Sequence, residues 1–80
     1  MISATVAYET AIASASWNYS QYMKYDTKWA EAENTRDCIT AHELADRYWN
    51  RLEGQVDLIA LLFSKKPSDV MEAVEEATAK

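Results

Sequence analysis

Apolar residues return along this chain at the spacing of helices. Tyr8, Ile12, Ala15, Tyr19, Tyr22, Asp26 and Trp29 follow one another at steps of four and three, with Met23 and Ala30 beside them. That sustained stripe predicts a first helix over about 3–33. Ala41, Ala45, Tyr48, Trp49, Leu52, Val56, Ile59 and Phe63 form a second stripe, predicting a helix over about 36–63. Val70, Ala73, Val74 and Ala77 face one way on a short third helix over about 68–78. The chain holds one Gly and one Pro. Sheet folds need many turns, so their scarcity supports a few long helices. The expected fold is all-α: one domain over 1–80, an antiparallel hairpin of two long helices plus a short C-terminal helix, a small helical bundle.

The joints follow from local chemistry. Asn34-Thr35-Arg36-Asp37 is the expected corner. Thr40-Ala41-His42-Glu43 has the form of a capping box, in which the hydroxyl and the carboxylate three residues on satisfy each other's backbone donors. The second helix is therefore expected to begin at Thr35 or at Thr40. Pro67 ends it, and Ser68-Asp69 supplies a cap and an early negative charge for the third. Gly54 falls opposite the second stripe, where it lowers helix propensity without touching the core.

Both long helices carry more apolar surface than a hairpin buries. At about 100° per residue, Ile2, Val6, Ala13 and Trp17 form a second patch roughly opposite the main stripe of helix one. Leu58, Leu61 and Leu62 likewise fall outside the stripe of helix two, leaving DLIALLF apolar nearly all round. The antiparallel hairpin brings both segments to one end. Helix three, a second copy of the chain or a partner protein must cover them; Trp17 is expected either beneath helix three or out as an interface anchor.

Composition narrows the function. Chains of 80 residues bury only about 60% of their unfolded surface, so partners or self-association often supplement stability. A single Cys excludes an internal disulfide and fits a reducing compartment. No apolar run reaches the ~18 residues of a membrane span. The N-terminal region has no Lys or Arg before residue 24, so no signal peptide is expected. The expected location is the cytoplasm. Net charge is −5, which opposes ordinary nucleic-acid binding, where affinity comes from neutralising phosphates. Residues 35–66 balance, whereas the last fourteen set Lys80 against Asp69, Glu72, Glu75 and Glu76.

Within DCITAHELADRYW, residues 37–49, stand Asp37, Cys38, His42, Glu43 and Asp46, all types that bind metals or move protons. The His-Glu-Leu-Ala-Asp run resembles a zincin helix with Asp46 where the second His belongs. A metal site needs three or four convergent ligands, and no second His or Cys exists to supply one. Cys38 sits centrally in the second stripe and reads as a small buried hydrophobe, neither accessible nor activated as a nucleophile. His42 lies about 40° off, at the stripe's edge. Glu43 turns to solvent, where it faces Arg47 at i+4. Asp26 takes a core position, where a carboxylate requires a polar partner. The Tyr8, Tyr19, Tyr22, Tyr25 and Trp29 series reads as core packing rather than a base-stacking platform.

No catalytic constellation emerges, and no enzyme activity, cofactor or metal is expected. In general character (tiny, acidic, helical, aromatic-rich, one thiol) the chain resembles phage-encoded and mobile-element inhibitors, anti-CRISPR proteins among them. The likeness covers size and composition and assigns no residue role. The leading expectation is a non-enzymatic protein-binding module, an inhibitor or regulator that occludes a larger macromolecular complex. Its candidate protein-binding residues are Val6, Trp17, Leu58, Leu61 and Leu62 at the apolar end. Asp69, Glu72, Glu75 and Glu76 are the candidates for meeting a basic surface, such as that of a nucleic-acid-binding complex. The alternatives are an obligate homodimeric scaffold, a nucleic-acid mimic built on the acidic row, and a small metalloprotein using Cys38, His42, Asp46 and Asp26.

Overall fold

The structure is a computed structural model that describes residues 3–79. It is all-α, with α1 spanning Ala4–Glu31, α2 spanning Thr35–Leu62 and α3 spanning Pro67–Ala79. The two long helices pack antiparallel as a hairpin, and α3 lies across both. A shared cluster binds the three: Ile12 and Ala15 from α1, Leu52, Val56, Ile59 and Ala60 from α2, Val70 and Val74 from α3. Leu52, Val70 and Val74 are completely enclosed. Tyr8, Tyr19, Trp49, Phe63 and Met71 close the cluster's rim.

Each helix begins where a side chain or ring replaces missing backbone partners. The Ser3 hydroxyl accepts from the Val6 N–H at 3.1 Å. Asn34 caps α2, its Oδ1 accepting from the Asp37 N–H at 2.8 Å while its Nδ2 donates to Asp37 Oδ2 at 2.9 Å. The two side chains hold each other much as the partners of a capping box do. Thr40 and Glu43, by contrast, lie inside α2. The box predicted there is not the start of the helix, because Asn34 satisfies the first orphan donors six residues earlier. Pro67 takes the first position of α3, where its absent N–H would be unpaired anyway. The carbonyl of Lys66 accepts from Asp69 and Val70, so the predicted Ser68 cap is not used.

Between α2 and α3 the chain reverses sharply. Ser64 takes φ 54°, the left-handed region, and the Lys65 N–H donates to the Ala60 carbonyl at 2.9 Å. This is the long-range bond of a Schellman closure, with serine where glycine is usual.

The fold measures 50 × 23 × 22 Å, with a radius of gyration of 14.5 Å, against about 12 Å for a compact chain of this length. Elongation follows from helix lengths. At about 1.5 Å per residue, α3 is half as long as either partner, and its C-terminus lies beside Tyr19 and Met23. Beyond that level the hairpin is only two helices thick. Asp26 is consequently exposed rather than buried, as are Trp29, Ala30 and Ile39. The core position predicted for Asp26 fails for want of a third helix to cover it.

Candidate functional site

The residues of the 37–49 stretch do not converge. Cys38 is half-buried, short of the full burial expected, because it too lies in the two-helix half. His42 is exposed, tilted against the Trp29 ring at 5.5 Å, with Nε2 3.5 Å from Asp46. That is the one close contact of a basic with an acidic side chain among the described residues; Glu43 and Arg47 do not form theirs. Among the described residues neither His42 nor Asp46 hydrogen-bonds to a hydroxyl or to the Cys38 thiol one turn earlier on α2. Among the described residues no three of His, Cys, Asp and Glu are grouped to hold a metal ion. A groove of about 540 Å³ sits at the hairpin corner between Tyr25, Lys28, Asp37, Thr40 and Leu44. His42 and Cys38 do not line it.

The side of the hairpin away from α3 is better organised. On α1, Ile12, Ala13 and Ser16 line the α3 groove, and Trp17 stands about 100° further round than Ser16. It meets Tyr48 edge to face at 5.8 Å, and Tyr48 in turn stacks on Tyr25 with rings 4° from parallel. Arg51 lies over Tyr48 and both Lys24 and Lys28 lie over Tyr25, at 5.4 to 5.6 Å. Beneath the rings, Gln55 clamps the two helices. Its Oε1 accepts from Asn18 Nδ2 at 2.6 Å, and its Nε2 donates to Ser14 Oγ at 3.1 Å. Asn18 is 93% buried and is the buried polar side chain of the structure. No buried polar atom among the described residues lacks a partner.

The apolar end remains uncovered. Leu61 is 77% exposed, Leu62 67%, Trp17 56%, Leu58 55% and Val6 50%. Together they leave on the order of 500 Å² of apolar side chain in water, the size at which patches on monomers mark contact sites. Of the two positions considered for Trp17, burial beneath the third helix is not the one observed. Helix α3 reaches this end but shares its core with Ile12, Val56 and Ile59 and leaves these five side chains exposed. Ala13 of the same patch is exposed, and Ile2 lies outside the described residues. Asp69, Glu72, Glu75 and Glu76 are all exposed on α3. The acidic row lies on α3 and the apolar patch on α1 and α2, and Glu76 of the one meets Ala13 of the other across a groove.

Electrostatically, one group is displaced. Burial, then the charges of Asp26, Tyr19 and Asp46, push the Tyr22 hydroxyl above its ordinary range. Tyr22 packs on Trp49 with centroids 4.9 Å apart. No helix among the described residues is long and apolar enough to cross a membrane.

The chain matches no protein-family model, no curated protein and no solved structure.

Proposed function

We propose that this chain is a non-enzymatic binding protein, an inhibitor or regulator that occludes a surface on a larger macromolecular complex. The observation that carries the reading is the row of large apolar side chains, Val6, Trp17, Leu58, Leu61 and Leu62, that the chain's own third helix leaves in water. A small fold with thin stability gains nothing from such exposure unless something docks there. Trp17 meets Tyr48 edge to face while staying 56% exposed, and an exposed Trp is a common interface anchor. The exposed acidic row Asp69, Glu72, Glu75 and Glu76 is a second surface, suited to a basic partner such as a nucleic-acid-binding complex. Size and composition agree with anti-defence inhibitors of phage and mobile elements, the anti-CRISPR type.

Affinity capture from native lysate tests this with three baits: wild type, Trp17→Asp, and Glu72→Lys/Glu76→Lys. A partner retained by wild type and lost by one variant, both variants remaining helical by circular dichroism, supports the reading and identifies the surface. Identical retention by all three removes both surfaces from consideration.

A further inference from the structure

We propose that Lys24, Lys28, Arg47 and Arg51 form a docking strip for an acidic segment of a partner protein, whose carboxylates pair with the four cations. The proposal rests on the reading of the chain as a binding protein and adds a surface to the two named there.

The fold gathers these charges around one pair of rings. Tyr25 of α1 and Tyr48 of α2 stack across the helix seam with centroids 5.7 Å apart. Lys24 and Lys28 lie over the Tyr25 ring at 5.6 and 5.4 Å, and Arg51 lies over the Tyr48 ring at 5.5 Å. Arg47 stands one turn before Arg51, within about 40° of it around α2. All four are exposed, and none comes within ion-pairing distance of a carboxylate among the described residues. Their own elements supply no counter-charge either. Between Trp17 and Lys28 on α1, and between Leu44 and Gln55 on α2, the carboxylates are Asp26, Asp46 and Glu53. Each points more than about 100° away from Lys28 or Arg51. A chain of net charge −5 thus carries a patch of four cations that it does not neutralise, and a complementary patch on a partner is what steers and registers such a surface.

The surroundings select among anions. Binding of single-stranded nucleic acid uses ring faces on which bases stack, but Tyr25 and Tyr48 turn one face to each other and hold cations over their rings. An anionic lipid plane is broad, and the groove that Lys28 lines also carries Glu31, Glu33 and Asp37, which such a plane repels. A segment of protein is narrow enough to follow the seam from Lys28 to Arg51 and stop short of them. Leu58 and Leu62 continue the Arg51 line of α2 within about 20° and are exposed. The fitting segment is therefore acidic over the strip and apolar beyond it.

Selection from a displayed library of random sixteen-residue peptides tests the chemistry of this occupant. The baits are wild type and Lys24→Gln/Lys28→Gln/Arg47→Gln/Arg51→Gln, each checked for helicity by circular dichroism; Lys28→Gln/Arg51→Gln replaces the quadruple variant if that loses helicity. Wild type is expected to enrich peptides that combine Asp and Glu with Leu, Phe or Trp, and the variant is expected not to. Fluorescence anisotropy of one enriched peptide is expected to show affinity falling about tenfold in the variant, and falling with added salt. Lys65→Gln/Lys66→Gln, which removes two cations elsewhere, is expected to bind as wild type does. No enrichment, enrichment without acidic residues, or the same peptides on both baits overturns the proposal. So does tighter binding of oligothymidylate, or of phosphatidylserine vesicles, than of the selected peptide. A strip that selects no acidic peptide, in a chain whose Trp17→Asp variant still loses a captured partner, removes this proposal and leaves the binding reading standing.

Discussion

The Asn18–Gln55 bond is expected to be worth more than its exposure on one side suggests, and a double-mutant cycle measures it. Asn18→Ala removes a nearly enclosed donor and leaves Gln55 Oε1 at the half-open edge of the groove. The loss of one hydrogen bond, about 1 kcal/mol net, together with some packing gives roughly 1.5–2 kcal/mol. Gln55→Ala breaks two bonds and strands the Asn18 amide inside the interface, so roughly 2–3 kcal/mol is expected. The double variant no longer strands anything, and its cost falls short of the sum by about 1 kcal/mol. An 80-residue domain has about 4–12 kcal/mol in all, so each single change is large against the total. Urea unfolding followed by far-ultraviolet circular dichroism reads all four members. Additivity within about 0.3 kcal/mol would refute the reasoning, since it would mean the bond adds nothing beyond two independent side chains. Asn18→Leu extends the cycle by asking whether the pair also sets helix register. A more stable but less sharply unfolding variant is the expected outcome, because a buried polar pair restricts the alternatives that an apolar seam permits.

Other substitutions test separate parts of the account. Gly54→Ala is expected to stabilise by about 0.5–1 kcal/mol, since an added Cβ meets nothing within 4 Å. Ser64→Gly is expected to stabilise by about 1 kcal/mol through relief of the left-handed backbone. Each raises Tm by about 4–8 °C per kcal/mol, and a fall in either melting curve would contradict the placement. Asp26→Leu is expected to change stability by less than about 0.5 kcal/mol in chemical denaturation, as exposed substitutions do; a loss above 1.5 would reveal a partner. The neutral Tyr22 hydroxyl is favoured in the folded chain, so its contribution is whole below the ordinary tyrosine range near pH 10 and declines as pH rises through the raised folded value. Tyr22→Phe should therefore lose less Tm than wild type between pH 9 and pH 11. Equal losses would place Tyr22 in water.

The exposure of the apolar end was legible in the sequence. The exposure of Leu58, Leu61 and Leu62 follows from a run that is apolar all round a helix with one neighbour, and Val6 and Trp17 follow from a second row opposite the main one. Asn18 was missed because it borders the α1 stripe between Ala15 and Tyr22, one residue before Tyr19, and a polar residue there reads as surface. Gln55 was missed for the same reason on α2. The cation–aromatic strip was hidden as well. Lys24, Lys28 and Arg51 look like ordinary solvated charges until Tyr25 and Tyr48 are stacked across the groove.

Helix number, approximate helix extent and the antiparallel hairpin were determined by the sequence itself, because hydrophobic period and a single proline act within a few residues of chain. Of the candidate caps, by contrast, the structure uses Asn34 and neither Thr40 nor Ser68. Which members of each stripe are dry was decided only in three dimensions. Ile12 and Leu52 are enclosed and Asp26 and Trp29 are wet, although all four lie on predicted core faces. The difference is the reach of α3. A helix half as long as its partners seals one half of one side of the hairpin, and burial depends on what stands across a gap, which no local pattern records.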